Sequence, residues 1–367
     1  MDGKNNSRTA LAATLMLALT IAGCAVVAGS GADSSPEGIK VGIILPDIET
    51  SAQWDQIDES LLGQAMDTEG LEPDIHNAKG DPTRFAAIAD GMIKDGVKAL
   101  VIAPPNNEVG SAVASKAMAR HIPTIDYDRL DTGVGTADYS VSFDNVKAGE
   151  LQGRGLIRGV RSTPGANIIE IDNPLTDRNA LQFEQGRLNV VKPRYDTGTY
   201  RLVASQRIED NQSAGAVFEQ LLNDNGGRVD GVLTANDSVA DAVIAVLRKR
   251  GLNGKVPVIG QGASPEALKE ILRGDQFMTV LNPVDQLATA TAKLAGALAR
   301  GDQAAAATMA STISTDPTGN RQVRSVLVAP LFITLDTVKQ VTDSKIVDSR
   351  EICEGELELR CNQLSIS

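Results

Sequence analysis

The sequence has 367 residues, a formal net charge of −12, 42% hydrophobic residues, three cysteines and only two histidines. Its acidic balance argues against a nucleic-acid-binding face, and its length suits two compact lobes better than one hydrophobic core. His76 and His121 lie far in sequence from Cys353 and Cys361, which leaves no zinc-type ligand set.

The first residues have the layout of an export signal. Lys4 and Arg8 supply a basic start, residues 11–21 are apolar apart from threonines, and Ala22-Gly23-Cys24 closes the run. The stretch is too short for a permanent transmembrane helix. Ile21-Ala22-Gly23-Cys24 resembles the lipobox of bacterial lipoproteins, with Ile21 where leucine is usual. It implies removal of residues 1–23, leaving 344, and lipidation of Cys24. An ordinary signal peptide with a chance cysteine is the alternative. Residues 24–38 then read as a Gly/Ser-rich leash.

From Lys40 onward short β-rich runs alternate with helical stretches. Residues 40–45 predict a strand, about 53–69 a helix, 74–76 a strand, 82–94 a helix and 99–103 a strand. The alternation continues with a helix near 109–120 and strands at 123–127, 139–143, 167–171, 200–205, 231–234, 256–259 and 278–281. Leu287, Ala290, Leu294 and Leu298 share one helical face, as do Val239, Val243 and Leu247. Short apolar strands separated by amphipathic helices predict parallel sheets covered on both faces. About ten to eleven strands suit two sheets of five or six. The expected fold class is therefore α/β, with two doubly wound parallel-sheet lobes.

Open sheets of this kind bind ligands at the carboxyl ends of their strands. Those ends read Pro46-Asp47, Asn106-Asn107, Asp128-Arg129, Asp144-Asn145, Asp172-Asn173, Arg207, Asn236-Asp237, Gln261-Gly262 and Asn282. Helix capping alone explains any one Asp or Asn. A polar group at nearly every strand end points instead to a cleft that hydrogen-bonds a small polyol. No phosphate loop, HExxH helix or GxSxG elbow is present, and Gly153-Arg154-Gly155 falls inside a helical pattern. Asp128 and Asp144 invite comparison with a glycosidase pair, but each has a basic or amide neighbour suited to holding hydroxyls. The expectation is a binding protein, with no catalytic residue, cofactor or metal. Near the C-terminus, Cys353 and Cys361 are expected to form a local disulfide if the chain is exported; two free thiols are the alternative.

Tyr127-Asp128-Arg129, Phe143-Asp144-Asn145 with Gly149-Glu150-Leu151-Gln152, and Ala235-Asn236-Asp237 resemble the xylose-binding group in the ribose/galactose branch of the type I periplasmic-binding proteins. So do Thr176-Asp177 with Asn179-Ala180, the Gly260-Gln261 turn, and Thr279-Val280 before Asn282-Pro283. The resemblance runs from Lys40 to about Ser349. It implies two lobes joined by a three-segment hinge, closing on a sugar. The implied lobes are 39–143 with 283–324 and 144–282 with 325–350, followed by a tail at 351–367. It further implies ligand contacts from Trp54, Asp128, Arg129, Asp144, Asn236, Gln261 and Asn282. The chain departs from that group at Gln53, Arg207, Gly262 and Asn282. The implied partner of such a monomer is an ABC permease, with the lipid anchor holding it to the outer side of the cell membrane. Presentation of a nucleoside, furanose or sugar acid to a sensor kinase is the alternative role.

Overall fold

The computed structural model describes residues 38–46, 57–130, 137–161, 163–174, 179–315 and 321–366. The expected signal segment, Cys24, Gln53 and Trp54 lie outside the described residues, as do Thr176 and Asp177. The first half alternates β1 (Ile39–Leu45), α1 (Asp58–Thr68), β2 (Leu71–Asn77), α2 (Pro82–Lys94), β3 (Ala99–Ile102), α3 (Asn107–Met118), β4 (Thr124–Tyr127) and β5 (Tyr139–Phe143). After α4 (Asn145–Val160) come β6 (Ala166–Asp172), α5 (Ala180–Asp196), β7 (Tyr200–Arg207), α6 (Ala214–Asp224), β8 (Gly231–Thr234) and α7 (Asp237–Lys249). These lead to β9 (Val258–Ile259), α8 (Pro265–Arg273) and β10 (Thr279–Leu281). The chain ends through α9 (Val284–Ala299), α10 (Gln303–Met309), β11 (Thr312–Thr315), β12 (Gln322–Val328), β13 (Leu331–Ile333), α11 (Lys339–Asp343), α12 (Ser349–Ile352) and α13 (Glu358–Gln363).

Local chemistry sets many of these boundaries. The Asp81 carboxylate accepts from the Thr83 and Arg84 amides, and Pro82 opens α2. Asn106 and Asn236 cap α3 and α7 in the same way, each accepting from the amide three residues on. Helix α8 stops at Gly274, whose φ of 87° is the left-handed conformation that a C-terminal glycine allows.

The strands form a seven-stranded sheet ordered β11-β12-β5-β4-β3-β1-β2 and a four-stranded sheet ordered β7-β6-β8-β9. All pairs are parallel in both, except the antiparallel β11–β12 edge. A parallel bridge from Ile259 to Met278 carries the second sheet toward β10, which pairs antiparallel with β13. Both sheets therefore use the same doubly wound order. Strands alternate their side chains between faces. Val41, Ile43 and Leu45 of β1 pack with α1 and α9, whereas Ile44 packs with Phe85 of α2 and Val113 of α3. In the second sheet, Ile169 and Ile171 meet α6 and α7, while Ile168 meets Leu156 of α4 and Val191 of α5.

Each expected strand is present, with ends shifted by a few residues. The edge and late strands β11, β12 and β13 exceed the anticipated count. Strand β11 is largely exposed, so it lacks the apolar signature used to find the others. The C-terminal residues form a further core, in which Ile352, Leu357, Cys361 and Ile366 pack with Leu268 and Ile271 of α8 and Ile333 of β13. Cys353 and Cys361 are disulfide-bonded there, with Cα atoms 5.7 Å apart.

Candidate functional site

The carboxyl end of β4 is held from below. Asp58, fully buried at the start of α1, hydrogen-bonds the Tyr127 hydroxyl, and burial together with that carboxylate pushes the phenol well above its ordinary range. The next residue, Asp128, takes a φ of 63°, a left-handed conformation that aspartate tolerates better than most side chains. Its amide donates to the Val141 carbonyl at 2.9 Å, and the Ser142 hydroxyl donates to its own carbonyl at 2.5 Å. This clamp between β4 and β5 turns the chain sharply and presents Asp128 beside Arg129, whose Nε lies 4.0 Å from its carboxylate.

Asp144 follows β5 and caps α4, its Oδ1 accepting from the Lys147 amide at 2.8 Å. Its own amide donates to the Val328 carbonyl at 3.0 Å, so the cap is tied to β12 as well. Asp128 and Asp144 line one cavity of about 210 Å3. The other polar walls are Ser140, Ser142 and Asn145, Asn179 and Gln182 at the start of α5, and residues of β11. Asn145 Nδ2 donates to Gln182 Oε1 at 3.0 Å, which links the two helix starts across the cavity.

Glycines make that approach feasible. A Cβ on Gly149 of α4 would sit 2.0 Å from the Phe183 carbonyl oxygen, and one on Gly186 of α5 would sit 1.9 Å from that of Val146. The backbones of α4 and α5 touch directly, which brings the amino ends of both helices to the same cavity.

The second sheet offers its own polar strand ends. Arg207, the last residue of β7, donates to the Asn173 carbonyl at 3.0 Å and to Glu184 at 2.5 Å. Asn236, after β8, uses its Oδ1 to cap α7 and points its Nδ2 at Asn173 Oδ1, 3.4 Å away. Beneath them Arg187 pairs with Asp172, both nearly inaccessible; burial raises the aspartate pKa and Arg187 opposes the rise. Gln152 of α4 ties this layer together, donating to the Thr234 carbonyl at 3.1 Å and accepting from Arg187 at 3.4 Å.

Gln261 lies in the turn after β9. Gly262 in that turn has a φ of 126°, a conformation open to glycine and costly for other residues. Asn282, after β10, has an enclosed Oδ1 with no hydrogen-bond partner among the described residues. A buried carbonyl left without a donor is costly, so this oxygen is a candidate acceptor for a ligand hydroxyl.

Of the residues singled out from sequence, Asp128 and Asp144 share the cavity and Arg129 adjoins it through Asp128. Asn236 and Gln261 stand at strand ends of the four-stranded sheet and Asn282 at the end of β10; none of the three lines it. Trp54 and Cys24 lie outside the described residues. Asn179 and Gln182 were not singled out as ligand contacts, because polar residues at a helix start read as caps. Among the described residues no group of three His, Cys, Asp or Glu side chains could hold a metal ion.

The comparisons give these strand ends their context. A profile described as the periplasmic binding protein domain matches residues 41–303. The chain belongs to that family. The D-xylose-binding periplasmic protein of Escherichia coli K12 is 31% identical over 303 residues, covering 82% of this chain and 88% of that one. The multiple sugar-binding periplasmic protein SbpA of Azospirillum brasilense is 28% identical over 336 residues, covering 86% and 92%. Among solved structures, a Clostridium phytofermentans ABC-transporter solute-binding protein with bound β-D-glucose aligns with a TM-score of 0.67 at 25% identity, over 85% of this chain and 99% of that one. Two parallel sheets of matching order are the type I form of the family, and these family members are solute-binding proteins, not enzymes.

Proposed function

We propose that this protein is the lipid-anchored solute-binding component of an ABC importer and that it holds a sugar or sugar-like polyol between two lobes. The observation that carries the reading is the 210 Å3 cavity, where Asp128 and Asp144 from the first-sheet strand ends face Asn179 and Gln182 from a helix of the second sheet. Carboxylates and amides from both sides suit a molecule whose rim is all hydroxyls, and their charge-assisted bonds are the stronger kind. The volume is below the roughly 300–1,000 Å3 of drug-sized pockets, in keeping with a monosaccharide. Names of relatives that include D-xylose-binding and multiple sugar-binding proteins agree with this class.

In this reading the first lobe comprises residues 39–143 and 283–328, and the second 144–282 and 329–350 with the tail packed on it. The third crossing is drawn after Val328, not at Arg324, because β12 stays paired with β5 to that point. Trp54, Arg129, Asn236, Gln261 and Asn282 complete the cleft when the lobes close. A ligand favours closure only through its higher affinity for the closed form.

The test is thermal-shift screening of residues 24–367 against a panel of aldoses and polyols. A binder at about a hundred times its dissociation constant stabilises the fold by about 2.7 kcal/mol. Calorimetry then compares wild type with Arg129→Ala, which loses a two-pronged donor; the expected cost is about 1.5–3 kcal/mol of binding. No stabilisation by any sugar would reject the ligand class. Equal affinity in Arg129→Ala would move the site elsewhere. For the anchor, Cys24→Ser is expected to shift the protein from the membrane to the soluble fraction; unchanged membrane retention would remove the lipid from the proposal.

A further inference from the structure

Arg207 brings a positive charge to the second-sheet side of the cleft, where a carboxylated sugar would find a partner. The structure shows that charge already matched. One guanidinium nitrogen is 2.5 Å from Glu184 Oε2 of α5 and another is 3.0 Å from the Asn173 carbonyl. Asn173 in turn meets Asn236, so the pair sits against the ends of three adjacent strands, β6, β7 and β8. Both side chains are about one-third exposed, at 30% and 33%, which makes the pair reachable by a solute.

We propose that Glu184 is a positioning residue that sets the charge selectivity of the cleft: by neutralising Arg207 it admits uncharged polyols and turns away sugars bearing a carboxylate. The inference rests on the sugar-binding reading above. The other arginines near these strand ends are matched too. Arg129 lies 4.0 Å from Asp128, and Arg187 is buried against Asp172. Asp144 adds a further carboxylate to the cavity wall. Among the described residues, the cleft therefore has no surplus cation for an incoming anion. A ligand carboxylate would have to displace Glu184, whose Oε2 already occupies one arm of the Arg207 fork while the Asn173 carbonyl occupies another. Like charges brought together in a partly desolvated site also oppose its entry.

Removing the Glu184 charge while keeping its shape leaves the Arg207 cation with only neutral acceptors, the new side-chain amide and the Asn173 carbonyl, so its charge is no longer balanced. Glu184→Gln should gain what wild type lacks. Wild type and variant are titrated by calorimetry with D-glucose, D-xylose, D-galactose, D-glucuronate and D-galacturonate, at low and high salt. Wild type is expected to bind a neutral aldose and neither uronate. The variant is expected to raise uronate affinity, relative to the aldose, by at least about tenfold, with the gain fading as salt screens it. The gain should vanish in Glu184→Gln/Arg207→Met, which lacks the cation. An unchanged uronate-to-aldose ratio in the variant, a gain that survives loss of Arg207, or a uronate bound by wild type as tightly as the aldose each overturns the proposal while leaving the sugar reading intact. A neutral hit of the thermal-shift panel outside these three aldoses takes the aldose's place in the ratio; if no sugar of that panel binds wild type, the sugar reading itself fails and this inference fails with it. Circular dichroism checks the fold, and Glu184→Ala repeats the comparison if the glutamine variant is unfolded. Misfolding of both would make Glu184 a structural residue and overturn the proposal.

Discussion

Asp237 holds the turn that carries Gln261 from two directions. Its amide donates to the Gln261 carbonyl at 2.9 Å, and its carboxylate accepts from the Ser264 amide at 3.0 Å, three residues further along. Gln276 and Thr279 add donors to the same carboxylate, at 3.0 and 2.8 Å. A Cβ at Gly260 would fall 2.1 Å from it, so the turn wraps the carboxylate closely. Although Asp237 adjoins Asn236, it is a structural hub beneath the site and not part of its surface.

Asp237→Ala removes the common acceptor: the Ser264 amide and the Thr279 hydroxyl lose their side-chain partner, and Gln276 Nε2 keeps only the Met278 carbonyl. Unmade buried hydrogen bonds cost about 1–3 kcal/mol each and are not additive, so we expect a loss of about 3 kcal/mol. Urea unfolding measures the loss, and amide exchange at residues 260–264 should accelerate. Wild-type stability in this variant would show that the turn holds itself.

Asp241, one helical turn after Asp237 on α7, has its pKa pushed up to about 7. Burial is the main cause, followed by the charges of Asp237, Glu270 and Glu266, with Arg248 opposing. The folded protein keeps this proton between about pH 4 and 7, where the unfolded chain has released it. The contribution to stability is thus full below pH 4 and is lost as pH rises to 7. Asp241→Asn should raise stability at pH 8 by about 1 kcal/mol after allowance for solvent screening, and change little at pH 4. Calorimetric melting at the two pH values is the check; an equal shift at both would dismiss the titration.

Gly186→Ala places a methyl group where the Val146 carbonyl oxygen stands. The obstacle is backbone, which cannot rotate aside, so α4 and α5 must separate. Overpacking of this kind costs about 3 kcal/mol, and it should also enlarge the space between Asn145 and Gln182. Thermal melting together with sugar titration reads both effects. Normal melting and binding would mean that the helices tolerate the shift.

The Cys353–Cys361 bridge closes a loop with a sequence separation of 8. A loop that short contributes about 2–3 kcal/mol by restricting the unfolded chain. Cys361→Ala is expected to lower stability by at least this amount, since Cys361 also packs in the core around α8. Equal denaturation midpoints with and without reductant would argue against it.

What could be read from sequence follows a simple physical division. Strands β5 and β8 match their expected limits because each is a short apolar run bounded by polar residues. Val239, Val243 and Leu247 are fully buried, as their spacing requires. Strand β12 was missed because only alternate residues near its start are buried, between exposed Gln322 and Arg324. The strand-end rule names Asp128 and Asp144, which share the cavity, and lists Asn236 beside Asp237; only the resemblance separates these two, keeping Asn236 as the ligand contact, since spacing does not say which of two adjacent polar side chains turns inward. Gln182 becomes visible only through the contact of α4 with α5, and Glu184 only through its pairing with Arg207 of β7, tertiary relations that a local pattern does not contain.

Strand β12 closes the edge of β5 in parallel register, from Arg324 opposite Tyr139 to Val328 opposite Phe143. Its residues are made long after those of β5, with the whole second sheet synthesised in between. Throughout that interval the nascent first sheet offers an unpaired row of amides and carbonyls along β5, the kind of edge on which chains aggregate. Completion of the first sheet must await nearly the whole polypeptide. A chain truncated before β12 would retain most of its core and yet carry an open, adhesive edge along β5.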